Sequence, residues 1–293
     1  MQVSPRAHRP VAAVLLMLGA FFCFATLDTT AKFAVLNGMP VWQTVFLRYA
    51  GHALVILLVF LPQHGRSVFA SRARGREFLR ALFLMGGTAL NFAALQHLPL
   101  SVTISIFFAT PLVVCALSVP ILGERVGRRR WTAILIGFLG VLVITRPFGA
   151  GFDWAMLYSL GAALSASMYF VMTRMLAGTD SNMSMQIHAA GLPVLTLAPA
   201  MPGIWQPLAA EGWLLAAILG LSGAIGHLAA TTAHRFAEAS ALAPVVYSQM
   251  LFATVYGFAV FGNVPDGWTL LGSAILIGSG LYLWARERRK GRT

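Results

Sequence analysis

Charged residues are scarce in this sequence, and acidic ones are the scarcest. Only 10% of the 293 residues are charged and nine are Asp or Glu, whereas 58% are hydrophobic. A soluble domain carries about 25% charged residues, so the composition excludes an ordinary water-soluble fold. The chain also lacks His-Glu-x-x-His, Gly-x-Ser-x-Gly and any similar catalytic motif. We therefore expect no enzyme, no catalytic residue and no cofactor.

Cysteine is nearly absent as well. Cys23 and Cys115 lie inside separate apolar runs, which excludes a disulfide framework and offers no metal-ligand spacing. The net charge of +12 raises the possibility of a nucleic-acid partner. However, the arginines lie in short segments between apolar runs, and no nucleic-acid-binding motif accompanies them. We expect a lipid bilayer as the partner instead.

What the chain does contain is long hydrophobic runs. A membrane-spanning helix needs about 20 mostly apolar residues, and spans are helical because a lone strand leaves backbone groups unpaired in lipid. The first run is also too long for a cleaved signal peptide. We predict an all-α membrane protein with ten transmembrane helices, at about residues 11–36, 41–61, 78–98, 101–122, 131–147, 154–177, 184–202, 214–235, 240–261 and 268–285.

The basic residues between these segments predict their orientation. With a cytoplasmic N-terminus, 18 of the 21 Lys and Arg residues fall on the cytoplasmic side. Lys32 and Arg146 fall outside, and Arg48 lies within a span. Cytoplasmic connections carry the excess of basic residues in membrane proteins. The bias predicts a multi-pass protein of the bacterial inner membrane with both termini in the cytoplasm.

Two halves of the chain resemble one another. The pentapeptide Ala133–Gly137 returns at Ala274–Gly278, an offset of 141, and Leu18–Ala20 returns at Leu160–Ala162, an offset of 142. Nearly constant offsets indicate two copies of one unit, which we place at 1–147 and 148–293. Five helices per copy is an odd number, so the second copy enters the membrane inverted. Inverted repeats are typical of secondary transporters, whose substrate site lies where the halves meet.

Three charged residues near the first helical hairpin need a partner inside the membrane. Asp28 and Arg48 are each ten residues from Gly38, so an antiparallel hairpin places them at the same depth. Lys32, one helical turn after Asp28, could share its carboxylate. We predict an intramembrane charge cluster of Asp28, Arg48 and Lys32. A structural ion pair, substrate contact and proton transfer are all compatible with this spacing.

Polar and aromatic residues inside the spans are candidates for a substrate cavity. Asn91 and Gln249 lead, because an amide facing lipid is poorly satisfied. For each candidate, the alternative is a hydrogen bond between helices or plain packing. Gly220, Gly223 and Gly226 favour close helix packing or a backbone-lined path. The predicted substrate-binding residues are Asn91, Phe92, Tyr169, His227, Thr231, Tyr247 and Gln249.

These features together resemble a known family. Five features carry the resemblance: Lys32 at the end of the first span, Pro40 before the second, Pro111 in the fourth, the step Leu122–Glu124 and the later pair Ala239–Ser240. With them, the chain resembles the EamA-type branch of the drug/metabolite transporter superfamily. Asn263 departs from the pattern, because the family has an acidic residue there. The resemblance implies a monomeric ten-helix secondary transporter of small molecules. Within the family, the chain looks most similar to exporters of aromatic amino acids, with exporters of drugs or of purine- or cysteine-related metabolites as the alternative.

Overall fold

The structure, a computed structural model, describes residues 10–123, 127–146, 152–176, 179–236 and 242–290. Its regular structure in these ranges is helical. The α-helices are α1 Pro10–Leu36, α2 Val41–His64, α3 Arg74–Leu95, α4 Leu100–Phe107, α5 Thr110–Leu122, α6 Arg128–Thr145, α7 Ala155–Leu176, α8 Asn182–Leu197, α9 Met201–Ile204, α10 Ala210–Phe236, α11 Ser248–Phe261 and α12 Gly267–Lys290. Short 3₁₀ helices cover Gly65–Phe69, Ala198–Ala200 and Ala243–Tyr247.

Within the described ranges, seven helical stretches are long and apolar enough to cross a membrane. Three further apolar helices are shorter, at Trp131–Thr145, Val245–Phe261 and Gly267–Tyr282. The chain is therefore an all-helical membrane protein, while the count of ten full spans stays a prediction. The repeat boundary that we placed at residue 147 lies outside the described residues.

The fourth predicted span is broken in the middle. Helix α4 ends at Phe107, and α5 begins at Thr110, immediately before Pro111. Proline has no backbone N–H to donate and is best tolerated in the first turn of a helix, which accounts for a new helix starting there. The ninth predicted span starts similarly, with the 3₁₀ segment Ala243–Tyr247 leading into α11.

The main helix contacts join a helix of the first half of the chain to a helix of the second half. Helix α1 of the first half packs along α10 of the second, and α7 of the second half packs along α3 of the first. Helix α6 packs against α12, and α4 against α11. If the first span (α1) corresponds to the sixth (α7), and the third (α3) to the eighth (α10), the contact between α1 and α10 corresponds to the contact between α7 and α3. This is the packing that two repeats related by a two-fold axis would produce.

Hydrogen bonds between connections show which of them share a side of the membrane. Near the start of α2, Gln43 donates from Nε2 to the carbonyl of Gln206 (2.9 Å). At the other end of α2, Ser71 donates to Asp180 (2.5 Å), and the Arg72 N–H also donates to Asp180 (2.8 Å). The connection after the first span and the connection after the sixth therefore lie on opposite sides. Corresponding connections on opposite sides are what an inverted repeat requires.

We name the two sides by these contacts. The basic side carries Arg72 and Asp180, and the opposite side carries Gln43, Gln206 and the ion pair between Arg146 and Asp266 (2.8 Å). Burial favours the neutral form of Asp180. The bonds from Ser71 and Arg72 and the nearby positive charges outweigh it and lower the pKa of Asp180, which holds the two basic-side connections together as an anion.

An aromatic pair lies where the two broken spans cross. The rings of Phe108 and Tyr247 meet edge to face with centroids 5.3 Å apart. These residues are 139 positions apart (247 minus 108), within three of the offsets of 141 and 142 between the sequence repeats. Each stands at the break of its span. The pair is therefore formed by corresponding positions that meet each other, as residues on a two-fold axis do.

The apolar core consists of one large cluster and two small ones. The large cluster includes Leu27, Tyr49, Leu197 and Leu219 from four helices, and Leu98 from the connection after α3. One small cluster gathers Ala13, Met17, Ala20, Ala233 and Leu242 on the basic side. The other gathers Ala34, Met39, Leu47 and Ala216 on the opposite side.

The closest backbone approach joins α2 and α10 at two glycines. A Cβ atom added to Gly51 would lie 2.7 Å from the Cα of Gly220, and one added to Gly220 would lie 2.6 Å from the Cα of Gly51. Such distances leave no room for a side chain. Small residues allow this approach in a membrane, where packing rather than hydrophobic exclusion holds helices together.

We expect Gly220→Ala to separate α2 from α10 and destabilise the protein by about 1–3 kcal/mol, the usual cost of overpacking. Thermal unfolding in detergent measures this as a lower Tm. Gly278→Ala in α12 is the matched control, because an added Cβ there meets no atom within 4 Å. Equal Tm values for the two variants would contradict the close approach.

Candidate functional site

The centre of the candidate site is a carboxylate on α1 that is hydrogen-bonded to an amide on α3. Asn91 donates from Nδ2 to Oδ1 of Asp28 at 3.0 Å. Both side chains are half-buried. Among the described residues, the second oxygen of Asp28, Oδ2, has no hydrogen-bond partner. This oxygen can therefore accept a further hydrogen bond.

Arg48 on α2 is the nearest positive charge. It is 6% exposed, donates to the hydroxyl of Thr88 (3.1 Å) and lies 4.4 Å from the ring centroid of Tyr49. Tyr49 and Thr88 are also bonded to each other at 2.8 Å. The guanidinium is thus held by neutral dipoles and an aromatic face, both of which stabilise a desolvated cation.

The direct ion pair that we predicted between Asp28 and Arg48 is replaced by a looser arrangement. The two charges are close enough to attract each other, but no nitrogen–oxygen distance within 4.0 Å joins them in the described structure. Instead, Asp28 is bonded to Asn91 and Arg48 is bonded to Thr88, and these two neutral residues are one turn apart on α3. Helix α3 inserts these groups between the charges, which is why the hairpin alone did not reveal the geometry.

Lys32 faces away from Asp28, toward the opposite side of the membrane. Its ammonium donates to the carbonyl of Leu98 and lies 5.3 Å from the ring centroid of Phe261. The residue ties α1 to the end of α3 and to the end of α11. The predicted sharing of the Asp28 carboxylate by Lys32 is therefore not the arrangement in the structure. Lys32 instead helps to close the opposite side.

Two histidines stack beside the charge cluster. The rings of His52 on α2 and His227 on α10 are nearly parallel, at 12°, with centroids 5.3 Å apart. Phe24 on α1 contacts His227 edge to face at 5.1 Å. His52 is 1% exposed, and neither of its ring nitrogens has a hydrogen-bond partner among the described residues. Phe24 is one turn before Asp28 on α1, so the stack lies on the face of α1 that carries the carboxylate.

An aromatic group joins α1 to α11. The hydroxyls of Thr26 and Tyr256 are bonded at 2.9 Å. Phe22 packs against Tyr256 and against Phe252, with centroids 6.0 and 5.5 Å apart. Thr26 and Asp28 are two residues apart on α1, so this group and the carboxylate lie on different faces of the helix.

The other predicted substrate-binding residues divide between packing and open positions. Phe92 is fully buried in the large apolar cluster. Tyr169 lies under Arg80, whose guanidinium is 5.2 Å from its ring centroid and which is paired with Glu77 at 2.7 Å. Tyr247 meets Phe108, with its hydroxyl against Gly280. These three side chains have packing partners where they stand.

Thr231 and Gln249 have different surroundings. Thr231 accepts a hydrogen bond from Gln186 on α8 at 3.2 Å and donates to the carbonyl of His227 at 2.8 Å. Gln249 is half-buried, and its amide has no hydrogen-bond partner among the residues described. An amide with unused donors in the membrane is available to a substrate.

The sequence interpretation missed four residues that the structure adds to the site. They are Phe24, His52, Thr88 and Tyr256. A signal existed for two of them. His52 is four residues after Arg48 on α2, and Thr88 is three residues before Asn91 on α3, so each shares a helix face with a predicted residue.

Comparison with known protein families finds one matching region in each half of the chain. The model of the EamA-like transporter family matches twice, at residues 11–146 and 153–285. The chain belongs to the EamA-like transporter family. It is accordingly a membrane transporter and not an enzyme, and its resemblance to this family is confirmed.

The relatives of this EamA-like chain are named as transporters of several different substrates. It is 30% identical to a riboflavin transporter of Vibrio cholerae serotype O1 over 97% of both chains. It is 26% identical to an S-adenosylmethionine uptake transporter of Rickettsia bellii over 85% of both chains. It is 27% identical to a pseudopaline exporter of Pseudomonas aeruginosa over 91% of this chain and 93% of the relative. None of these three relatives is named as an exporter of aromatic amino acids, the substrate class that the resemblance implied.

A solved structure shares the fold of this EamA-like chain. It superposes with a TM-score of 0.63 over 95% of this chain and 98% of the other, at 20% sequence identity. At that identity the likeness concerns the fold alone.

We expect Arg48→Gln to destabilise the protein by about 3 kcal/mol or more, because it leaves the Asp28 carboxylate without its counter-charge in an apolar surround. Adding Asp28→Asn should recover part of the lost Tm, since the double variant buries no lone charge. Thermal unfolding of the two single variants and the double variant measures the coupling. Strictly additive losses would show that the two charges do not interact.

Proposed function

We propose that the protein is a secondary transporter of a flat, nitrogen-containing aromatic metabolite, with riboflavin as the first candidate. The observation that carries this proposal is the Asp28 oxygen that is left unbonded beside Asn91, one turn of α1 from the ring contact between Phe24 and His227. The riboflavin transporter of Vibrio cholerae, alike over nearly the whole of both chains, supports it.

The chemistry of the site fits such a substrate. The tricyclic ring of riboflavin has a broad π-face and an edge with an imide N–H between two carbonyls. Aromatic side chains stabilise a stacked ring, and the free oxygen of Asp28 can accept a hydrogen bond from the imide N–H. The unused amide of Gln249 can donate to a ring carbonyl or to a hydroxyl of the ribityl chain.

Transport would proceed by alternating access between the two repeats, 1–147 and 148–293. Their inverted contacts and the pair on the proposed two-fold axis support this mechanism. The arginine-rich connections support placing both termini in the cytoplasm and the chain in the bacterial inner membrane.

Other metabolites of the same class compete with riboflavin. S-adenosylmethionine has a flat purine ring and is named for one relative. Aromatic amino acids, which the sequence resemblance implied, share the aromatic ring and carry an ammonium group that can pair with the Asp28 carboxylate. The names of the relatives favour riboflavin or S-adenosylmethionine over them.

Proteoliposomes containing the purified protein test the proposal. Radiolabelled riboflavin should equilibrate across the membrane faster than in empty vesicles, and excess unlabelled riboflavin should block the tracer. Unlabelled S-adenosylmethionine, adenosine and tryptophan, each added separately, rank the competing substrates. Tryptophan competing better than riboflavin would overturn the proposed substrate class, and the absence of any tracer movement would overturn riboflavin itself.

We expect Asn91→Ala to lower riboflavin transport about tenfold or more, because a hydrogen bond to a charged group contributes about 1.5–3 kcal/mol and Asp28 loses its orientation with it. Gln249→Ala should lower transport more modestly. Initial rates in proteoliposomes at matched protein content provide the measurement.

Asn37→Ala is the control for both variants. Asn37 is exposed at the turn after α1 and bonds only locally, to the carbonyl of Phe33. It should transport at the wild-type rate. If Asn91→Ala transports normally while Asn37→Ala also does, Asn91 is a packing residue.

A further inference from the structure

Three side-chain nitrogens on one face of α2 are enclosed by protein without a hydrogen bond. His52 is one turn after Arg48, and neither ring nitrogen of His52 nor Nε of Arg48 has a partner among the described residues. Both side chains are more than nine-tenths buried, because His52 is 1% and Arg48 is 6% exposed. Buried polar groups are nearly always hydrogen-bonded, since an unpaired one is unfavourable. These nitrogens therefore indicate a ligand group that supplies their hydrogen bonds.

His52 lies at the end of a series of rings that begins one turn of α1 from Asp28. Phe24 contacts His227 at 5.1 Å, and His227 stacks on His52 at 5.3 Å between ring centroids. Helix α10 passes His52 at Gly223, where an added Cβ would lie 3.9 Å from Nδ1 of His52. His227 is only half-buried, although it stacks on an enclosed ring. Turning the His227 side chain would therefore uncover His52.

The chemistry of the three nitrogens favours hydroxyl groups as the ligand. An uncharged imidazole has one N–H donor and one bare nitrogen that accepts, and the Nε–H of Arg48 is a second donor. A hydroxyl group can donate and accept at once, so neighbouring hydroxyls on a carbon chain satisfy such a mixed set. A phosphate or carboxylate would only accept, which leaves the bare imidazole nitrogen facing an anion. An apolar group would leave all three nitrogens unpaired.

We propose that His52 and Arg48 form a subsite for the hydroxylated tail of the substrate, which in riboflavin is the ribityl chain. The inference rests on the proposed function. The ring edge of the flavin bonds to Asp28, and its flat face lies against the contact between Phe24 and His227. The His227 side chain turns aside, so that the tail reaches the nitrogens of α2. His52 thus determines specificity, because it favours flavins that carry a hydroxylated tail.

Lumiflavin, which has the ring system of riboflavin with a methyl group in place of the ribityl chain, isolates the contribution of the tail. Both flavins are fluorescent, so titration with the purified protein in detergent measures the Kd of each. The wild-type protein should bind riboflavin about tenfold more tightly than lumiflavin, as two ordinary hydrogen bonds provide. Equal Kd values would overturn the subsite and leave the proposed function intact. No binding of either flavin would overturn riboflavin as the substrate.

His52→Phe tests the residue itself, because a phenyl ring can keep the stacking on His227 but has no nitrogen. This variant should bind riboflavin about fivefold more weakly, by the loss of one or two hydrogen bonds, and bind lumiflavin as the wild type does. His52→Gln keeps a donor and an acceptor and should retain part of the preference for riboflavin. If both variants weaken the two flavins equally, His52 is a packing residue and the subsite is wrong.

His64→Phe is the matched control, because it makes the same change at the exposed end of α2, where His64 packs on Phe60 with centroids 6.1 Å apart. It should bind both flavins with wild-type Kd values. Flavin mononucleotide, which carries a phosphate at the end of the ribityl chain, separates hydroxyl from anion recognition. It should bind the wild-type protein no more tightly than riboflavin does. Tighter binding of flavin mononucleotide would overturn the hydroxyl subsite in favour of an anion site at Arg48.

Discussion

The structure depends on keeping two opposite charges in the membrane without joining them. Asp28 and Arg48 stand at similar depth and attract each other, but each is bonded to a neutral group of α3. A charge at mid-membrane is costly unless dipoles or an opposite charge stabilise it. A fully formed ion pair would solve that problem but would also occupy both carboxylate oxygens. Placing Thr88 and Asn91 between the charges stabilises them and leaves one oxygen open.

The inverted packing explains how such a site can be reached from either side. Contacts between α1 and α10 correspond to contacts between α7 and α3, and Phe108 meets Tyr247 at the breaks of two crossing spans. The glycine contact between Gly51 and Gly220 brings α2 of the first half against α10 of the second, with no room for a side chain. Breaks near the centre of the spans are suitable elements for a transporter whose halves rock against each other.

Much of this could be predicted from the sequence, because lipid imposes simple rules. The apolar runs, the arginine-rich connections and the repeated pentapeptide indicated the helical class, and the residues around Lys32 and Pro111 indicated the family. The site was harder. Phe92 and Tyr247 are aromatic residues near polar ones along the chain, yet they pack into the core and onto Gly280. Periodicity shows which residues share a helix face, but not which helix covers that face. Only the packing of α3 against α1 and α2 brings Asn91 to Asp28.

The proposed site makes the position of a bound substrate the most direct test. A structure of the protein with riboflavin, determined at a resolution that shows ring orientation, should place the tricyclic ring against the contact between Phe24 and His227. Its imide N–H should then lie within hydrogen-bond distance of Asp28 Oδ2. Riboflavin bound elsewhere, with Asp28 still bonded only to Asn91, would contradict the account.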